Sequence, residues 1–277
     1  MINLLLAILS SSCVSIFMRL SKKYIRNDFS MIAVNYVVCT AMSICFLSGG
    51  VFPNASGLGT AIGLGAISGV FYLAGFLLLQ WSVEKNGVTL SSTFMKLGVL
   101  VPTVFSVTLF HEKLRLMQGL GLALALAAIM IIHFEGGKSR ASSSAGLLLL
   151  LLSGGMADAL AKFYEQYGNP ALEDQYLTYT FGIALILCLI LIVIRKQKIT
   201  WREAAFGLLV GIPNYFSARF LLLSLGSVPA VIAFPSFCVA TILVVSAAGI
   251  LLFREKVSRR QGVAMAIILV ALVLLNI

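Results

Sequence analysis

Charge is what this chain has least of. Only 11% of its 277 residues are Asp, Glu, Lys or Arg, while 60% are hydrophobic. A soluble domain carries about a quarter charged residues, so this chain has too few to cover a water-facing surface. Acids are scarcer than bases, ten against 20, and there are only two histidines, two tryptophans and six prolines. His111 and His133 stand at the ends of apolar runs. The five cysteines (Cys13, Cys39, Cys45, Cys188 and Cys238) lie within such runs, without metal-ligand spacing. No paired acids, Ser/His/Asp set or metal cluster stands out, so neither an enzyme, a metal nor a cofactor is expected. A Walker-type phosphate loop is also missing, which removes ATP as a direct driver.

What the chain does have is long apolar runs and a mean hydropathy of +1.03. Ten runs, at about 2–21, 29–48, 57–80, 87–109, 115–133, 145–166, 174–194, 203–224, 228–251 and 260–276, are each long enough to cross hydrocarbon about 30 Å thick. The first run lacks a basic start and a small-x-small cleavage site, so it is expected to remain as a span. The expected fold class is an all-α polytopic membrane protein of ten transmembrane helices, with the lipid bilayer as its partner. The net charge of +10 is not a nucleic-acid signal, because most Lys and Arg sit in the short breaks between runs, where they set topology.

The chain also repeats itself at an offset of 143. Phe110-His111-Glu112-Lys113 falls on Phe253-Arg254-Glu255-Lys256, Gln118-Gly119 on Gln261-Gly262, Tyr72 on Tyr215, Tyr36 on Tyr179, and Arg19 on Lys162. Two five-span copies are expected, 1–137 and 144–277, joined by a polar linker at 138–143. An odd number of spans turns the second copy upside down, the usual design of an alternating-access carrier. Loops 1–2, 3–4, 5–6, 7–8 and 9–10 hold 14 Lys/Arg and the opposite loops hold two, Lys113 and Arg115. The positive-inside rule then places both termini outside the cytoplasm, in a plasma (inner) membrane.

Small residues mark candidate helix seams: Gly59/Gly63 and Gly65/Gly69 in span 3, and Gly119, Ala123 and Ala127 in span 5. Pro102, Pro213, Pro229 and Pro235 lie in or beside spans 4, 8 and 9, where each removes a backbone donor and favours a kink.

Ten spans in two copies, each with a hydrophobic-x-Glu-Lys turn between its fourth and fifth spans, resemble the drug/metabolite transporter superfamily and its EamA-like group. The carrying segments are 102–114 (PTVFSVTLFHEKL) with 118–121 (QGLG), and 251–257 (LLFREKV) with 261–264 (QGVA). The resemblance implies a central cavity lined mainly by spans 1, 3, 4, 6, 8 and 9, with spans 5 and 10 peripheral. It also implies transport of amino acids, sugars, nucleotide sugars, organic cations or lipid-linked compounds. Members of this group usually have both termini in the cytoplasm, and the loop charges here point the other way.

Five charges lie inside the runs: Arg19, Lys96, Asp158, Lys162 and Arg219. A central charge costs roughly 2.5–3.5 kcal/mol on insertion scales. Lys96 has no acid at i±3 or i±4 and lies roughly 13 Å along span 4, so it is the leading substrate-binding candidate, followed by Arg219. Arg19 and Lys162, near span ends, either snorkel to the interface or take part in gating. Asp158 either pairs with Lys162 at i,i+4 or carries a coupling proton. Four bases against one acid favour an anionic ligand. Tyr72, Tyr215, Asn214, Asn35 and Tyr36 complete the candidate binding set, each equally readable as a helix-packing residue.

The expected function is a secondary carrier for small anionic or zwitterionic metabolites, amino acids first, working as a monomer. The rival readings are an exporter of organic cations using Asp158, and a flippase for an anionic lipid headgroup.

Overall fold

The computed structural model describes residues 1–47, 49–133, 144–253 and 259–277. The expected linker at 138–143 and the second Glu-Lys turn at Glu255-Lys256 lie outside the described residues. The described residues form eleven α-helices: α1 (Ile2–Ser21), α2 (Asp28–Cys45), α3 (Leu58–Asn86), α4 (Val88–Leu97), α5 (Leu100–Thr108), α6 (Leu116–His133), α7 (Ser144–Tyr167), α8 (Glu173–Ile194), α9 (Trp201–Leu225), α10 (Ala230–Phe253) and α11 (Arg259–Leu275). A single 3₁₀ turn, Pro170–Leu172, precedes α8. Each of the ten expected runs is largely helical among the described residues. Eight helical stretches are long and apolar enough to cross a membrane, and Leu116–Ile131 is a shorter apolar one. Leu5, Leu9, Ile186, Val193, Val270 and Val273 are each more than half exposed. Helices that present such faces need lipid as their solvent.

Two expected boundaries differ. Span 3 runs six residues further, to Asn86, and stops where Gly87 adopts φ 82°, a backbone that glycine takes without steric cost. Span 4 is two helices with a break at Gly98–Val99. Pro102 brings no N–H for the Gly98 carbonyl, which instead accepts the Val101 N–H at 3.0 Å in a tighter turn. Pro213 and Pro235 sit inside unbroken helices.

Polar residues at the breaks set the helix starts. Asn27 accepts the Phe29 N–H at 3.0 Å, and Asn169 accepts the Ala171 N–H ahead of Pro170. Thr200 and Glu203 form a capping box on α9. Glu203, only 2% exposed, also accepts the Arg26 N–H at 3.0 Å, which ties the α1–α2 loop to the start of α9.

The helices group into two compact units, residues 1–73 with 163–227, and 74–162 with 228–277. Each draws on both halves of the sequence. In the first unit α9 packs along α1 and α2, and α2 along α8. In the second α6 packs along α11, and α5 along α10. Thus α2 meets α8, α5 meets α10 and α6 meets α11, and the partners in each pair are related by the 143-residue offset.

Glycine makes the close approaches, though not always where the small-residue spacing pointed. A Cβ on Gly69 would lie 2.5 Å from the Thr180 carbonyl, and one on Gly65 2.9 Å from that of Tyr176. On α9, Gly207 and Gly211 meet Val34 and Val38 of α2 in the same way. Gly59 and Gly63 face open space, with nothing within 4 Å of an added Cβ. In span 5 the seam is Gly121, Ala125 and Ala128, while Ala123 and Ala127 are exposed. Helical spacing identifies several small faces, and only the neighbouring helix decides which one is used.

Candidate functional site

The first unit collects Asn35, Tyr36, Tyr72, Asn214, Tyr215 and Arg219. Asn214 on α9 donates its Nδ2 to Asn35 Oδ1 on α2 at 3.2 Å. The Cys39 thiol donates to the Gly211 carbonyl at 3.3 Å. These two amides, candidate ligand groups in the sequence, form a part-buried bridge between helices. Tyr36 is 4% exposed. Tyr72 meets the Phe181 ring edge-on, centroids 5.8 Å apart.

Arg219 has an acidic partner that helical spacing did not reveal. Its Nη2 donates to Asp174, 3.0 Å from Oδ1 and 3.1 Å from Oδ2, and Phe46 lies under the guanidinium at 4.5 Å. Asp174 stands in the first turn of α8, where the helix dipole also favours its negative charge. Tyr215 is fully buried and stacks on Phe46 at 5.7 Å. Its Oη, and the Nε of Arg219, are buried without a hydrogen-bond partner among the described residues.

The second unit holds Lys96, Asp158 and Lys162. The expected Asp158–Lys162 pair does not form. Lys162, nearly buried, pairs with Glu112 at 3.1 Å, and its ammonium lies 5.6 Å from the centre of the Phe110 ring. Asp158 stands on α7 and Lys96 on α4, in the same compact unit. Neither Lys96 nor Asp158 makes a side-chain hydrogen bond or ion pair with a described residue. Lys96 occupies the last turn of α4, beside the break, and the Cys238 thiol points at its carbonyl from 3.8 Å. Ser153 on α7, and Ser236 and Thr241 on α10, add buried hydroxyls without partners. Arg19 is exposed near the end of α1, as a snorkelling residue would be.

The expected excess of buried positive charge is therefore corrected. Glu112 and Asp174 neutralise Lys162 and Arg219. Glu112 also caps the start of α10, where its carboxylate accepts the Ala230 N–H at 3.1 Å and the Val231 N–H at 2.8 Å. Sequence reading found the Glu-Lys turn but gave it no structural role. Its recurrence at the repeat offset was the available signal. Phe46 and Asp174 carried none.

The class defined by these features is an all-helical, multi-pass membrane protein with charged groups held inside its spans. Residues 1–134, just under half of the chain, match the sequence profile of the EamA-like transporter family. A protein of Haemophilus influenzae described as uncharacterized is 22% identical over 273 residues, covering 93% of this chain and 91% of its own. A protein of known crystal structure is similar in fold, with a TM-score of 0.77 at 12% identity over 99% of this chain and 94% of that one. The chain is thus a membrane protein of the drug/metabolite transporter type.

Proposed function

We propose that the chain is a secondary or facilitative carrier that moves small anionic or zwitterionic metabolites, amino acids first, by alternating access. The observation that carries this reading is the Lys96–Asp158 pair. Two residues of opposite formal charge lie inside membrane-spanning helices of one compact unit and, among the described residues, share no ion pair. Each costs roughly 2.5–3.5 kcal/mol to insert, and a direct contact would recover part of that. Leaving the contact unmade fits a site where a substrate acid meets Lys96 and a proton meets Asp158. The two five-span repeats, 1–137 and 144–277, inserted in opposite senses, supply the two access states, with both termini outside the cytoplasm.

One observation favours a second reading. With Lys162 and Arg219 neutralised by Glu112 and Asp174, the interior is less basic than the sequence implied, and Asp158 suits an organic cation. Thermal stabilisation of the purified protein by a metabolite panel separates the two. Carboxylates are expected to stabilise the wild type and to lose their effect in Lys96→Ala. Stabilisation by organic cations, kept in Lys96→Ala and lost in Asp158→Asn, would replace the carrier of anions with a cation exporter.

A further inference from the structure

A buried donor without a partner costs folding free energy, so native proteins satisfy nearly all of them. Here α9 leaves two unsatisfied. Tyr215 Oη and Arg219 Nε are both buried and both without a partner, and their residues are i,i+4 neighbours on one helical face. Tyr215 is 0% exposed, so there is no room for a water beside its ring as packed.

The surroundings are specific. Arg219 gives Nη2 to both oxygens of Asp174. Its Nε–H, on the same side of the guanidinium as Nη2, is not used by Asp174, and Tyr215 stands one helical turn before it. Over both lies Phe46, 4.5 Å from the guanidinium carbon and 5.7 Å from the Tyr215 ring centre. Phe46 is itself 39% exposed, the residue just past the end of α2. Gly49 and Gly50 follow it at φ 84° and 86°, backbone that glycine adopts freely. The ring thus packs against both residues that carry the donors.

Two donors, one of them cationic, call for an acceptor with two oxygens and negative charge. Asp174 already balances the full charge of Arg219, so a dianion such as a phosphate gains little here, whereas a single carboxylate matches the two remaining donors. The rings of Phe46, Phe181 and Phe216 around Tyr215 would receive an apolar body. We propose that Tyr215 Oη and Arg219 Nε form a monocarboxylate subsite, shut by Phe46 in the arrangement seen here and held in charge balance by Asp174. This rests on the carrier reading but makes no use of Lys96. Tyr215, Arg219 and Phe46 contact the ligand, and Asp174 acts as a positioning residue through Arg219.

Tyr215→Phe is the decisive variant, because it removes one oxygen and keeps the ring. Purified wild type, Tyr215→Phe and Arg219→Lys are titrated with L-amino acids, their deaminated acids and their decarboxylated amines, following thermal stability and Kd. The ligand-free Tyr215→Phe protein is expected to be as stable as the wild type or more so, since an unsatisfied donor has gone. Its Kd for acids and amino acids is expected to rise about tenfold or more, and Arg219→Lys, which keeps the charge but not the Nε donor, is expected to weaken the same ligands. A lower ligand-free stability in Tyr215→Phe would overturn the proposal by showing a structural bond. Unchanged carboxylate affinity in Tyr215→Phe would overturn the subsite and leave the carrier reading standing. Absence of any carboxylate binding to the wild type would remove both.

Discussion

Glu112 offers the sharpest test of how the second unit is held together. It does two things at once: it faces Lys162 at 3.1 Å and receives the first two N–H groups of α10. At that separation, with an effective dielectric near 20, the Coulomb attraction is ~5 kcal/mol before desolvation is subtracted. Both side chains are largely buried, 6% and 14% exposed, so removing one partner leaves the other in apolar surroundings. Glu112→Gln keeps an acceptor for α10 but takes away the anion, and is expected to destabilise by about 3 kcal/mol. Lys162→Met should cost less, about 1–2 kcal/mol, because the remaining carboxylate keeps two amide donors at a helix N-terminus. The double variant should fall short of the sum by about 1–2 kcal/mol. Reversible unfolding in mixed micelles, run on all four proteins, measures the cycle. Additivity within about 0.5 kcal/mol would refute the coupling, and a Lys162→Met effect as large as that of Glu112→Gln would refute the capping role.

Two further outcomes can be checked directly. Gly69→Ala places a methyl 2.5 Å from the Thr180 carbonyl and 3.1 Å from the Ala184 nitrogen, so it should lose about 1–3 kcal/mol, whereas Gly63→Ala meets nothing and should gain up to about 1 kcal/mol in helix propensity. Equal melting temperatures for the two variants would show that the α3–α8 approach is not a tight seam. If both termini lie outside the cytoplasm, a membrane-impermeant maleimide applied to intact cells is expected to label Lys113→Cys and spare Lys23→Cys. The reverse pattern would restore the family's usual orientation.

The spans were legible because lipid imposes a one-dimensional rule, a long apolar run for every crossing. The repeat rests on the sequence itself, on pairs such as Phe110/Phe253 and Glu112/Glu255. The break at Gly98–Val99 was foreshadowed by Pro102, though a proline leaves open whether a helix bends or divides, and Pro213 and Pro235 lie in helices that continue. What the sequence left dark is what crosses between helices. Asp174 and Arg219 are 45 positions apart, and Asn35 and Asn214 are 179 apart. Helical spacing searches only i±3 and i±4, so Arg219 looked unpaired and the interior looked more basic than it is. The same limit hid the choice between glycine faces, since Gly59/Gly63 and Gly65/Gly69 have identical spacing and opposite surroundings.

The pairing pattern bears on what can pass through. A carrier with four unbalanced cations would hold an anion too firmly to release it. Balancing Lys162 with Glu112 and Arg219 with Asp174 removes most of the long-range field while keeping directional donors in place. Lys96 and Asp158 form no ion pair among the described residues. Recognition in such an interior depends on hydrogen-bond geometry more than on net charge, which weights the choice toward molecules that carry their own balance. A zwitterion leaves either state of the carrier without a stranded charge. A free dianion leaves one behind, at the several kcal/mol that an unpaired ion costs in a low-dielectric medium. The neutral amino acid should therefore bind more tightly than its deaminated acid, although both present the same carboxylate to Tyr215 and Arg219. A deaminated acid that bound more tightly than its parent would mean that net positive charge, and not balance, governs the interior.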